Sequence, residues 1–118
     1  MRVALIALLF ETVPPKAYGG TERVVHWLVE ELTRLGHEVT LYAAGGSKTS
    51  ARLVKCCHAS FRELDIKDFT DTSTDHYIAQ LQLAISGIYE HDIVHVHHGT
   101  YPFQLTVLEA NEQKMPIV

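Results

Sequence analysis

Three short stretches of this chain hold residue types that could do chemistry: Tyr18-Gly19-Gly20-Thr21-Glu22, His95-Val96-His97-His98 and Cys56-Cys57-His58. Adjacent glycines ahead of a helix let the backbone approach a ligand closely, and the unpaired N–H groups and dipole of the helix start favour a phosphate. That reading competes with a plain turn, because the spacing is not G-x-G-x-x-G and no acid clearly ends the following strand. In the histidine stretch, strand alternation puts His95 and His97 on one face, while His98 opens a loop. Imidazoles there can hydrogen-bond a polyol or exchange protons near neutral pH. A metal centre lacks a carboxylate or cysteine at ligand spacing. His95 is read as a satisfied interior histidine, and His97 and His98 as candidates for ligand contact. Cys56 and Cys57, as strand neighbours, point to opposite faces and would not converge on one ion. Glu30, Glu31, Glu63 and Asp65 form no acid pair and read as solvated surface. No G-x-S-x-G or other activated nucleophile is present, so no catalytic residue is assigned.

The composition narrows the classes. With 118 residues, 47% hydrophobic and 20% charged, the chain is expected to form one domain with one core. A formal charge of −4 and the lack of any Lys/Arg run exclude the basic face that nucleic acid requires. The only two cysteines are adjacent, which is poor disulfide geometry and points to a reducing, cytoplasmic compartment. The apolar run at residues 3–10 is too short to span a bilayer.

These residues need elements to position them. Residues 3–9 are continuously apolar and stop at Glu11 and Pro14-Pro15, as a central parallel strand should. Val25, Leu28, Leu32 and Leu35 mark an amphipathic helix, capped by Thr21 and ended by Gly36. A second strand covers residues 38–44, followed by a polar, glycine-rich loop at residues 45–50 that is expected to be mobile. Residues 53–58 suggest a third strand, and residues 60–75 show no period and read as irregular. A second helix runs from Thr74 through Ile78, Leu81, Ile85 and Ile88, and residues 93–96 form a fourth strand. A loop at residues 97–102, a short helix through Phe103, Val107 and Ala110, and a strand beginning at residues 115–118 complete the reading. The expected fold is α/β: a Rossmann-like parallel sheet with the first strand central and helices on both faces. A sheet whose last strand has barely begun is expected to belong to a longer protein.

The first strand with Pro14-Pro15, the run Tyr18-Gly19-Gly20-Thr21-Glu22-Arg23-Val24-Val25, then Leu35-Gly36-His37-Glu38-Val39-Thr40-Leu41, and Asp92-Ile93-Val94-His95-Val96-His97-His98 together closely resemble the amino-terminal end of family 4 glycosyltransferases. The likeness is specific in the first third and weak between Arg52 and Tyr89. It implies a GT-B enzyme of two Rossmann-like domains, with residues 1–118 forming part of the acceptor-side domain. It implies a donor-phosphate loop at Gly19, Gly20 and Thr21, and an acceptor-side cleft at His97 and His98, with Tyr101 in the same loop. The reaction implied is sugar transfer with retention, from a nucleotide-sugar donor to a sugar or small-molecule acceptor, with no required metal and no cofactor. Peripheral membrane contact stays open and oligomeric state unassigned. On this reading the remaining donor ligands lie in another domain, and the chain alone is inactive. A stand-alone module binding a phosphorylated or polyhydroxy ligand is the alternative. A nicotinamide-dependent oxidoreductase would need an acid where Ala43-Ala44-Gly45 stands.

Overall fold

The computed structural model describes residues 1–17, 19–67, 70–86, 90–97, 116 and 118. Four strands, β1 (Arg2–Ile6), β2 (Glu38–Ala43), β3 (Arg52–Lys55) and β4 (Ile93–Val96), make one sheet in the order β3-β2-β1-β4. All pairings are parallel, with Leu5 level with Leu41 on one side and with His95 on the other. β1 is therefore central, as its unbroken apolar run requires. Backbone of the last residues extends the ladder: the Val94 N–H donates to Pro116 O (2.9 Å), the Val118 N–H to Val94 O (2.9 Å), and the Val96 N–H to Val118 O (3.0 Å).

Helix α1 (Gly20–Arg34) and helix α3 (Asp71–Ile85) cover opposite faces. Strand alternation sends Val3, Leu5, Val39 and Leu41 toward Val25 and Val29 of α1. The other face sends Ala4, Ile6, Tyr42 and Val94 toward Leu81, Ala84 and Ile85 of α3. A polar clamp lies within this second layer: the Gln80 Nε2 donates to Ala7 O (2.8 Å) and Tyr42 O (2.9 Å), tying the ends of β1 and β2 together.

The expected stop at Gly36 is present in full. Gly36 takes φ +93, its N–H donates to Thr33 O, and the His37 N–H donates to Leu32 O, which closes the last carbonyls of α1. The expected cap at Thr21 is corrected. The Arg23 N–H already reaches Gly19 O (3.1 Å), so the turn closes on Gly19 and Thr21 falls inside the first turn, with no side-chain cap bond. Residues 60–75 are also more regular than their sequence suggests. They contain the four-residue helix α2 (Phe61–Leu64), too short to show a period, and the first turn of α3, closed by a reciprocal capping box between Thr70 and Ser73. The buried face of α3 includes Ser73 and Gln80, and this is why apolar spacing alone locates its start too late. The helix expected around Phe103 lies outside the described residues.

Residues 45–50, expected to be mobile, are fastened. Ser47 Oγ accepts from the Val13 N–H (2.9 Å), and the Lys48 N–H donates to Val13 O (2.8 Å). Glu30 on α1 accepts from Thr49 Oγ1 (3.0 Å), the Ser50 N–H (3.1 Å) and Ser50 Oγ (2.5 Å). Glu30 is thus a loop anchor and not solvated surface. Among the described residues no helix is long and apolar enough to cross a membrane.

Candidate functional site

The order in which strands are added to the sheet reverses between β1 and β4: from β1 the chain moves outward to β2 and β3, then crosses back to the other side. In open parallel sheets the crevice at the carboxyl ends of the two strands flanking such a switch point is where ligands bind. Ile6 is level with Val96, and the His97 N–H donates to Ile6 O at 3.0 Å, so the loops after β1 and β4 leave the sheet side by side. The first of these loops leads to Gly19, Gly20 and Thr21. The second opens with His97. The switch point therefore brings both sequence-predicted segments to one edge, while His98 and Tyr101 lie outside the described residues.

The exit of β1 is built by long-range backbone bonds. The Leu9 N–H donates to Tyr77 Oη (3.3 Å), and the Phe61 and Arg62 N–H groups donate to Leu9 O (2.9 Å) and Phe10 O (3.2 Å). α2 is thereby held against the loop that precedes α1. Between them opens a cavity of about 380 Å³, walled by Phe10 and Glu11, by the first turn of α1 from Gly19 to Glu22, and by Arg62. The Arg62 Nε donates to the Glu11 carboxylate, and the guanidinium carbon lies 4.7 Å from the centre of the Phe10 ring. A neighbouring hollow of about 280 Å³ shares Glu11 and Arg62 and adds Lys16 and Glu63, which form an ion pair.

The two glycines do different things. A Cβ on Gly19 would lie 2.6 Å from Glu22 Oε2 and 3.0 Å from Pro15 Cβ, so a larger residue there would have to turn the Glu22 side chain aside and press on Pro15. A Cβ on Gly20 would meet nothing within 4 Å, so this position faces open space. The N–H groups of the first turn have no intrahelical acceptor and carry the positive end of the helix dipole.

On β4, the rings of His95 and His97 lie 4.3 Å apart at 31°, on the face that also carries Ile93. Both are half-buried. Cys56 and Cys57 are free thiols, half-buried, whose Sγ atoms lie near Val54 O (3.5 Å) and Ala59 O (3.0 Å). Burial, with the neighbouring Cys57 adding to it, pushes the Cys56 thiol up to about 12, and burial raises Cys57 as well. Neither is an activated nucleophile. No cluster of three metal-ligating side chains occurs among the described residues.

The sequence names Glu11 only as a strand stop and Glu22 only as the end of the glycine stretch, and it gives Arg62 no place at all. Glu11 and Glu22 are 7% and 6% exposed, far below what solvated acids show. Glu22 follows the N-cap by three, the position from which a Glu folds back on a helix start, and that spacing could have drawn attention to it. Nothing in the spacing announces Arg62.

A doubly wound parallel sheet with a glycine-opened helix start at its switch point defines a Rossmann-like domain. The chain belongs to Glycosyltransferase Family 4, whose model matches residues 18–118. Among solved structures it is similar to AviGT4, a glycosyltransferase involved in avilamycin A biosynthesis, at 26% identity and a TM-score of 0.53 over 86% of this chain. That likeness spans 28% of the AviGT4 chain. No curated protein matches.

Proposed function

We propose that this chain forms part of the acceptor-side domain of a retaining transferase that moves a sugar from a nucleotide-sugar donor to a sugar or small-molecule acceptor. The observation that carries the reading is the shared edge at the switch point, where the loop bearing Gly19, Gly20 and Thr21 and the loop opening with His97 leave adjacent strands. The first-turn N–H groups of α1, reached across the open space at Gly20, meet the donor diphosphate and stabilise the charge of the leaving group. His97, with His98 and Tyr101, lines the acceptor side. No metal or cofactor is required, the other donor ligands belong to a further domain, and the free cysteines fit a reducing cytoplasm.

The test has two arms. Full-length protein given a panel of nucleotide sugars and acceptors should release nucleoside diphosphate, and NMR of the product's anomeric proton should show the donor's configuration kept. Calorimetry on the 118-residue chain alone should show weak nucleotide-sugar binding or none. An inverted product would overturn the retaining mechanism, and micromolar binding by the chain alone would overturn the division of labour between domains.

A further inference from the structure

Trp27, the single tryptophan of the chain, stands on the outer face of α1 and is 62% exposed. Val25 and Val29 fill the sheet side of the helix, so Trp27 adds nothing to the core. Val24 and Leu35 are open to solvent on the same outer side. Large apolar side chains gathered on one exposed face mark a contact surface. The charges among them say what it meets.

Arg23, Trp27 and Glu31 follow one another four residues apart and form one row along the helix surface. The exposed Arg23 side chain makes no hydrogen bond or ion pair with a described residue. Glu31 is paired within the helix to Arg34, whose Nε donates at 2.9 Å, and it is more than half exposed, so its oxygens can accept again from outside. In one direction the row runs cation, tryptophan, anion; in the other it runs anion, tryptophan, cation. Such a row is complementary to its own antiparallel copy, the arrangement a two-fold axis imposes. The commonest helix crossing lays rows of this spacing side by side, which sets Trp27 against its own copy and Arg23 against Glu31 of the second copy at both ends. We infer that the outer face of α1 is the contact through which two copies of this protein associate. An anionic lipid surface would instead meet the Glu31 carboxylate inside the row, and a partner of one charge sign would satisfy only one end of it. A single helix face is small beside the interfaces of stable dimers, so the association is micromolar and not nanomolar.

The experiment is sedimentation velocity on the full-length protein, from low micromolar to several hundred micromolar, where the parent should pass from monomer to dimer. Arg23→Glu sets two acids against each other at both ends of the contact, and Glu31→Arg sets two cations. Each variant alone should dimerise more weakly, on the order of tenfold or more. Mixed together they should pair, because each supplies the charge that the other lacks. Recovery in the mixture cannot come from misfolded single variants. Trp27→Ala should abolish the dimer with every charge in place, and its melting temperature should stay near that of the parent because the side chain lies outside the core. A dimer indifferent to Trp27→Ala, or two single variants that fail to pair when mixed, would overturn the inference. So would a parent that stays monomeric throughout; if that monomer bound phosphatidylglycerol vesicles and Trp27→Ala did not, the face would belong to a lipid surface instead.

Discussion

The hydroxyl of Tyr42 lies 2.8 Å from Nε2 of His91, a buried pair joining the middle of the sheet to the segment that leads into β4. A neutral imidazole shares one proton with the phenol, as acceptor or donor according to its tautomer. A charged one would have to stand desolvated in the field of Arg52 and Arg2, offset in part by Asp92, and burial is the largest cause holding the His91 pKa below its ordinary value. The native state therefore binds fewer protons than the unfolded state between the depressed folded pKa and the ordinary histidine value of about 6.5. Stability is complete above about pH 6.5, falls as the pH drops toward the folded pKa, and levels off below it. Chemical denaturation between pH 8 and pH 5 should show this slope, and His91→Gln, which cannot titrate, should lack it. Tyr42→Phe should cost about 1–2 kcal/mol at neutral pH by stranding Nε2. An unchanged slope in His91→Gln would remove His91 as its source.

The Glu30 anchor should matter to the loop more than to the sheet. The Ser50 hydroxyl is the largest of the causes that lower the Glu30 pKa, ahead of the Ser50 N–H and the Thr49 hydroxyl. A depressed carboxylate pKa means that its stabilisation is present above the ordinary value and is lost as pH falls through the folded one. Glu30→Ala should cost about 1–2 kcal/mol and speed exchange of the Ser50 amide, with the β1 amides little changed. Hydrogen exchange read by mass spectrometry or NMR decides it, and a Ser50 amide equally protected in the variant would show that other contacts hold the loop.

Gly20 and Gly45 should respond in opposite ways to a side chain. At Gly45 a Cβ would stand 2.0 Å from His58 O and 2.8 Å from Cys57 O, both backbone atoms that cannot turn aside. Gly45→Ala should therefore destabilise by about 3 kcal/mol or more. Gly20 faces open space, so Gly20→Val should leave the melting temperature nearly unchanged. In the full-length enzyme it should nevertheless reduce turnover on the order of a hundredfold, about 2.7 kcal/mol of transition-state stabilisation. Both properties are to be measured on the same preparation; a stable, fully active Gly20→Val enzyme would remove the phosphate role.

Much of the fold was legible because its signals are local. A strand buried on both faces has to be apolar throughout, which marks β1 in the sequence, and a helix lying on a sheet repeats its apolar residues with its own period, which marks α1. The Schellman stop at Gly36 follows from the need for positive φ. Where burial is polar the signal fails. Gln80 faces the sheet because the Ala7 and Tyr42 carbonyls await it there, and Ser73 is buried in the capping box with Thr70, so the start of α3 escapes a search for apolar spacing.

Of the candidate site, the glycine pair and His97 could be located in the chain because each stands next to a helix start or a strand end. Which glycine serves packing and which leaves room could not be read there, since the neighbours that decide it, the Glu22 carboxylate and Pro15, act through space. The same holds for the pair that shapes the cavity. Arg62 meets Glu11 across 51 positions of chain, and only the hydrogen bonds that seat α2 on the exit of β1 bring them together. Charge, unlike periodicity, carries no mark of its partner until folding has removed the water between them.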